Sequence, residues 1–324
     1  MSSTASPVPP PIAYSEARYL SSKKTVDDRA LNKDVLERLR RELAGRAEEP
    51  LNILEIGAGL GTMTARLVDW GVIGRANYAL VDVDRDMLSA ARQWLSDWAR
   101  TRGLVAEPEL DALRIRGLLG ATPINLRVSF VAQELARFLD SDVSLAPASL
   151  LVANAFLDLV DVATTLPRLS ALLSPGGLYW LTINYDGDTI FHPEHALDER
   201  FMRVYDRSMD ERIRFGVPAG SSKTGRSLFT HLKSVAASLL AAGASDWIVY
   251  GDNGAYQADE RYFLEHIVYT VEQELKNHAE LEPASISEWV SRRREQIETG
   301  ELVYIAHQLD FIARASDRQL ARRE

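Results

Sequence analysis

An apolar run that ends in three closely spaced glycines constrains this chain more than any other feature. Residues 51–56 read LNILEI and residues 57–61 read GAGLG. A short apolar run entering a glycine turn directly is a buried strand passing into a helix. Gly57, Gly59 and Gly61 leave the turn without side chains, so a ligand can approach the backbone there. The helix that follows, over about 61–70, offers free amide groups at its start.

The same alternation then recurs. A strand at about 77–83 leads to a helix at about 86–100 carrying Met87, Leu88, Ala91, Leu95 and Trp98 at helical spacing. A strand at 127–132 precedes a short helix, and a strand at 149–153 precedes a helix over 162–173. The turn Pro175-Gly176-Gly177 opens a fifth strand at 178–184. Repeated βα units imply a parallel sheet with helices on both faces. The fold class expected is therefore α/β, with a mostly parallel sheet. Ahead of the sheet, 26–43 carries Leu31, Val35, Leu36, Leu39 and Leu43 at helical spacing, with Thr25 and Asp27 as candidate caps. The stretch 101–125 reads as an irregular insertion, and 186–226 holds no strong strand.

Beyond 226 the pattern suggests a helix at 227–242, a strand at 246–250 and two amphipathic helices at about 258–278 and 284–298. Residues 302–313 read as a buried closing strand, because LVYIA is β-rich and follows Gly300; a final helix is the alternative left open. The organisation expected is a flexible Pro/Ser tail at 1–13, a helical lid at 14–48, a ligand-binding core at 49–185 and a lid insertion at 186–226. The rest of the core, at 227–324, carries the inserted helices at 258–298.

Composition narrows the function. The 324 residues carry 37 basic and 46 acidic side chains, a net charge of −9. A protein that grips nucleic acid through bulk charge is basic, so nucleic acid is not the expected partner. With no cysteine, disulfides, thiolate metal sites and cysteine nucleophiles are excluded. The scattered histidines form no HExxH-type spacing, so no metal is expected. No apolar run is long enough to span a membrane, and the N-terminus lacks the pattern of a secretory signal. A cytoplasmic protein without a membrane partner is the expectation.

Glycine spacing discriminates among ligands. A dinucleotide fingerprint places its third glycine three residues after the second; here Gly61 follows Gly59 by two, and position 62 is Thr. Glu55 closes the strand just before the loop, and its charge suits a ligand bearing an ammonium group better than a pyrophosphate. In this segment, LEIGAGLGT, the chain resembles the class I S-adenosylmethionine-dependent methyltransferases, whose first motif is an acidic residue followed by G-x-G-x-G.

Further matches follow in order: LVDVDRDML after the second strand, FVAQEL after the third, VANAFLDLVD after the fourth, and LSPGGLYWLTIN at the fifth. The resemblance covers about 50–185 and continues weakly to 250. It implies a Rossmann-like methyltransferase sheet with an antiparallel closing strand and helical lids, and S-adenosyl-L-methionine as cofactor. It also implies contacts from Glu55, Gly57, Ala58, Gly59, Gly61, Asp82, Val83, Gln133, Glu134, Asn154 and Ala155. Asp82 would take both ribose hydroxyls. Glu134 stands where the family usually has Asp for the adenine amino group, and Asn154 and Ala155 would lie beside the methionine part. Asp84 reads as a second contact or as a cap for the next helix, with the cap favoured.

The activity implied is methyl transfer to a small-molecule acceptor at O, N or C. Two alternatives stay open: a protein that binds the cofactor without transferring its methyl group, and a nicotinamide-linked dehydrogenase, which the glycine spacing disfavours. The N-P-P-[YF] signature of many amino-methyltransferases is replaced by Asn154-Ala155-Phe156-Leu157.

An acceptor site would be roofed by 14–29, by 186–226 and by the helices at 258–298. Tyr14, Tyr19, Tyr205, Met209, Arg212 and Arg226 are the candidate substrate contacts. Each has a structural alternative: Tyr14 and Tyr19 could pin a helix, and Tyr205, Met209 and Arg212 also fit a plain amphipathic helix. The loop GSSKTGRS at 220–227 could hold an anion through Ser222, Lys223 and Arg226, or be a simple turn. His307, Asp158 and Tyr185 are the candidates for proton transfer, with His192 and His195 behind them. A homodimer through the helices at 258–298 is a further expectation, unless Trp289 and Val290 belong to the core.

Overall fold

The computed structural model describes residues 13–45, 50–141, 146–214 and 216–316. The expected tail at 1–13 falls, except for its last residue, outside them. Three helices come first: α1 (Glu16–Ser22), α2 (Lys24–Ala30) and α3 (Lys33–Ala44). The single helix expected over 26–43 is thus two. Leu31 ends the first and Asn32 begins the second, the Asn32 side chain accepting the amides of Asp34 and Val35, each at 3.1 Å. Neither expected cap acts as one. Thr25 donates to Glu260 at 2.6 Å, and Asp27 is buried, accepting Trp247 Nε1 at 2.9 Å.

The core follows with β1 (Leu51–Ile56), α4 (Thr62–Asp69), β2 (Arg75–Asp82) and α5 (Arg85–Thr101). Next come β3 (Val105–Pro108), β4 (Ala112–Leu119) and β5 (Thr122–Ala132), where 101–125 had suggested an irregular insertion. Their register is antiparallel, β3 on β4 and β4 on β5. The inward Leu113, Ile115, Ile124, Leu126 and Val128 are buried. Arg114 and Arg127 both reach Glu109 at 2.9 Å on the other side. The intervening charges of Glu107, Glu109, Asp111, Arg114, Arg116 and Arg127 hid the alternation.

Then come α6 (Leu135–Asp140), β6 (Ala148–Asn154), α7 (Val162–Ser170) and β7 (Leu173–His192), which runs well past the expected end at 184. After it lie α8 (Asp198–Asp210), the short strands β8 (Ile213–Arg214) and β9 (Val217–Pro218), and α9 (Thr224–Ser234). The chain closes with β10 (Ser238–Ala244), β11 (Trp247–Val249), α10 (Glu260–Lys276), α11 (Pro283–Thr299) and β12 (Val303–Arg314). The helix expected to 242 stops at Ser234, and Ala236 takes a positive φ of 55°. The residues after it, SLLAAGA, form an edge strand despite their helical propensity, because pairing with β12 overrides it. The closing strand expected at 302–313 is β12.

The strand order is β10-β12-β7-β6-β1-β2-β5-β4-β3, with β11 also on β12. Strands β5, β2, β1, β6 and β7 are parallel to one another. β12 lies antiparallel between β7 and β10. This is the mostly parallel α/β sheet with an antiparallel closing strand that the sequence implied. Its two faces carry separate apolar cores, one under α3, α4, α5, α10 and α11, the other under α7 and α9. Trp289 and Val290 of α11 are buried in the first, so they face the core and not a partner. No helix among the described residues is long and apolar enough to cross a membrane.

Two polar clusters fix the N-terminal helices. Arg66 of α4, fully buried, donates to Asp28 at 2.6 Å, to Asp27 at 3.3 Å and to the Lys24 carbonyl at 3.2 Å. Asp310 of β12, also buried, accepts the amide of Asn32 at 2.8 Å and that of Ile183 at 2.7 Å. Ile183 has a φ of 56°, an unusual conformation for a β-branched residue, and the β7–β12 register shifts at this point. Burial raises the Asp310 carboxyl to about 6, against the hydrogen bonds from Ser245, Asn32 and Ile183.

Candidate functional site

The loops at the C-terminal ends of the parallel strands open onto one cavity of about 1340 Å³. In open α/β sheets this edge is where ligands bind, because the strand order reverses there and leaves a crevice. Nearly every residue the sequence singled out for the cofactor lines it: Glu55, Gly57, Ala58, Gly59, Asp82, Val83, Gln133, Glu134, Asn154 and Ala155.

Glu55, next to last in β1, has 2% of its surface exposed and accepts Tyr78 Oη at 2.7 Å. Burial pushes its carboxyl up to about 8; the Tyr78 hydrogen bond and Arg66 pull it down, and Asp82 adds repulsion. Asp82 ends β2. One of its oxygens accepts the Gly59 amide at 2.9 Å and the other the Asp84 amide at 3.0 Å. This carboxylate therefore shapes the glycine loop as well as facing the cavity. Asp84 caps α5 through the amides of Asp86 and Met87 at 2.8 and 3.0 Å, the favoured of its two readings. Val83 is 67% exposed on the rim.

Gly57 has a φ of +64°, and a Cβ there would sit 2.1 Å from the Phe156 ring. Gly61 differs from the other two glycines. It does not line the cavity, and a Cβ on it would meet Leu80 Cδ1 at 2.9 Å. Its place is therefore in the packing of α4 on the sheet. Glu134 caps α6, its two oxygens accepting the Ala136 and Arg137 amides at 2.9 and 3.1 Å. Each oxygen keeps a second lone pair for a ligand. Asn154 Oδ1 accepts Thr182 Oγ1 at 2.9 Å, and Ala155 has a φ of 50°. This is local strain of the kind that gathers at functional sites.

The other half of the cavity is roofed by α1, α8 and α10. Of the expected acceptor contacts, Tyr19, Tyr205, Met209 and Arg212 line it, together with Asp158 and Tyr185. Tyr205 is pushed up to about 12, by burial first. Tyr185 donates to Asp206 at 2.8 Å and shares a hydrogen bond of 3.0 Å with Thr189. Burial raises it further still. Arg212 lies 4.0 Å from Glu274.

Several expected residues lie elsewhere. Tyr14 is absent from the lining; it stacks on Tyr269 at 4.6 Å, with Tyr262 and His266 beside it, and so pins the start of α1 to α10. Arg226 is absent too, because Asp186 takes its Nε at 2.9 Å and its amide at 2.6 Å. Asp210 accepts the amide of Ser222 at 2.7 Å. The start of α9 therefore already has acids from its own chain where an anion had been considered. His307 lies outside the cavity, 2.8 Å from Asp246 and 3.9 Å from Asp186. His192 and His195 do not line it either.

Sequence reasoning missed Lys23, Trp247, His266 and Tyr304, all on the cavity wall. Lys23 is 7% exposed, with its ammonium 3.6 Å from Asp27 and 5.3 Å from the Trp247 ring centre. His266 stacks on Tyr19 at 4.0 Å, and burial pushes it down to about 4. His266, Thr270 and Glu274 share the lining at intervals of four along α10. That stripe was legible as one helix face. Among the described residues, no group of acidic and histidine side chains could hold a metal ion.

No family model matches the chain, and no curated protein matches it. The chain is similar to solved S-adenosylmethionine-dependent methyltransferases. One, from Thiobacillus denitrificans in complex with S-adenosyl-L-homocysteine, is 13% identical with a TM-score of 0.45, covering 94% of this chain and 100% of its own. Another, from Geobacter sulfurreducens in the same complex, is 14% identical at a TM-score of 0.43, covering 92% and 98%. A third, geranyl diphosphate C-methyltransferase from Streptomyces coelicolor A3(2), is 9% identical at 0.40, covering 87% and 81%. At such distances only this chain's own residues carry the functional reading.

Proposed function

We propose that the protein binds S-adenosylmethionine along the glycine-loop wall and transfers its methyl group to a small molecule in the roofed half of the cavity. The observation that carries this reading is convergence. Glu55 with the glycine loop, Asp82, Gln133 with Glu134, and Asn154 with Ala155 come from four separate strand ends and line one cavity. Glu55 would receive the ligand's ammonium group, which would favour its ionised form. Asp82 would accept the ribose hydroxyls, and Asn154 and Ala155 would flank the methionine end. The cofactor brings an already activated methyl group. The protein's task is then to align the acceptor in line with it and to exclude water.

Volume supports two occupants. About 1340 Å³ exceeds the roughly 300–1,000 Å³ of a usual ligand pocket. The net charge of −9 and the aromatic roof favour a small acceptor over a nucleic acid. Calorimetric titration with S-adenosylhomocysteine, with NAD as control, tests the reading. Binding of the former alone, in the micromolar range, supports it; a folded protein that binds neither refutes it.

A further inference from the structure

We infer that Asp158 takes the proton released by the acceptor, so that the acceptor is a molecule whose nucleophile is an O–H or N–H group. The inference rests on the methyl-transfer reading above. Asp158 lies in the 3-10 turn Leu157–Leu159, four residues beyond Asn154, at the same strand end that would flank the reacting methyl group. It lines the cavity, and its Oδ1 is buried without a hydrogen-bond partner. A buried carboxylate oxygen with no donor is costly, and a donor carried by an occupant of the cavity removes that cost.

The charges around it suit a base. Burial pushes the Asp158 carboxyl above the ordinary aspartate value; its own backbone amide, Lys23 and Arg212 pull it back. The charges of Asp158 and Glu274 also act on Tyr205, each raising its proton affinity. A carboxylate whose proton affinity burial has raised accepts a proton more readily than an exposed aspartate does. The rivals are weaker. Tyr185 already donates to Asp206, and its burial keeps it protonated. His266, at about 4, holds a proton too loosely, and His307 is outside the cavity.

The step balances. The acceptor's oxygen or nitrogen forms a bond to the methyl carbon. The carbon–sulfur bond breaks with its electron pair left on sulfur, and the acceptor's proton passes to Asp158. The aromatic side chains that line the same cavity, Tyr19, Tyr205, Tyr304 and Trp247, suit a phenol or an aromatic or aliphatic amine.

The experiment uses the full chain, its Asp158→Asn variant, and a panel of phenols and amines, with S-adenosylhomocysteine formation as readout. Dimethyl sulfide and iodide, which have no proton to lose, serve as comparison acceptors. The variant should bind S-adenosylhomocysteine within about twofold of the parent. Its kcat should fall by about 100-fold or more, with KM changed by less than about threefold. The acid limb of the parent's kcat profile should vanish. A variant kcat within about threefold of the parent's overturns the inference. So does turnover confined to the proton-free acceptors, or no turnover of any phenol or amine by a protein that binds S-adenosylhomocysteine. A parent chain that fails to bind it at all removes the methyl-transfer reading, and this inference with it.

Discussion

Glu55→Gln should stabilise the ligand-free protein, and the gain should grow with pH. The side chain is 2% exposed and its carboxyl stands at about 8, against 4.5 when unperturbed. Below 4.5 the group is protonated in both folded and unfolded chains, and its full contribution to stability is present. As pH rises toward 8 the unfolded chain ionises first, so folding must take up a proton and stability is lost. At about 1.36 kcal/mol per pKa unit, the whole interval is worth on the order of 5 kcal/mol. Relaxation around the charge reduces this, and about 3 kcal/mol at pH 8 is the expected gain. Glutamine keeps an acceptor for Tyr78 Oη and does not titrate.

Urea denaturation of parent and variant at pH 5, 6.5 and 8 reads the difference directly. The two stability curves should nearly meet at acid pH and diverge as pH rises. Parallel curves would refute the burial argument. The same reasoning extends to the ligand. Binding a cationic group beside Glu55 at pH 7 should release a proton, seen as a buffer-dependent heat in calorimetry, and the variant should lose both that heat and affinity. A variant that binds S-adenosylhomocysteine as the parent does would show that Glu55 faces no ammonium group.

Other perturbations separate the ligand wall from the scaffold. Asp82→Ala should weaken S-adenosylhomocysteine binding by roughly 1.5–3 kcal/mol through lost charged hydrogen bonds, measured by calorimetry on a variant whose circular dichroism is unchanged. Gly61→Ala forces a Cβ to 2.9 Å from Leu80 at a φ of +67°, and should cost about 1–3 kcal/mol in urea midpoint analysis. Arg293→Ala removes a fully buried guanidinium that pairs with Asp198 and donates to the Pro193 carbonyl at 2.7 Å. Its loss should cost about 3–5 kcal/mol, with a matching fall in thermal midpoint.

The parallel part of the sheet was legible because its strands are continuous apolar runs closed by turn residues, as buried strands must be. The β3–β4 hairpin and the start of β5 were not, because Arg114, Arg116 and Arg127 alternate with the buried residues and leave no continuous apolar run. β10 was hidden for another reason: its LLAA favours a helix in isolation, and only the neighbouring β12 makes it a strand. Most of the residues on the glycine-loop wall of the cavity could be read in order, since they follow successive strand ends; Gly61 does not line it. The roof could not, because Lys23, Trp247, His266 and Tyr304 are brought together only by the tertiary structure. His307 shows the opposite error. An apolar sequence around a histidine suggested a buried base, but strand alternation turned the ring away from the cavity and toward Asp246.

The position of β12 has a consequence for synthesis. This strand lies between β7 and β10, both of which leave the ribosome earlier. Through Asp310 it also holds the start of α3, made 278 residues before. Until β12 emerges, β7 has one unpaired edge, β10 has no partner in the sheet, and the Asn32 amide lacks its acceptor. Completion of one half of the molecule must therefore wait for the last strand. A nascent chain stalled before residue 303 would expose two open strand edges, the kind of surface that chaperones cover and that aggregation recruits.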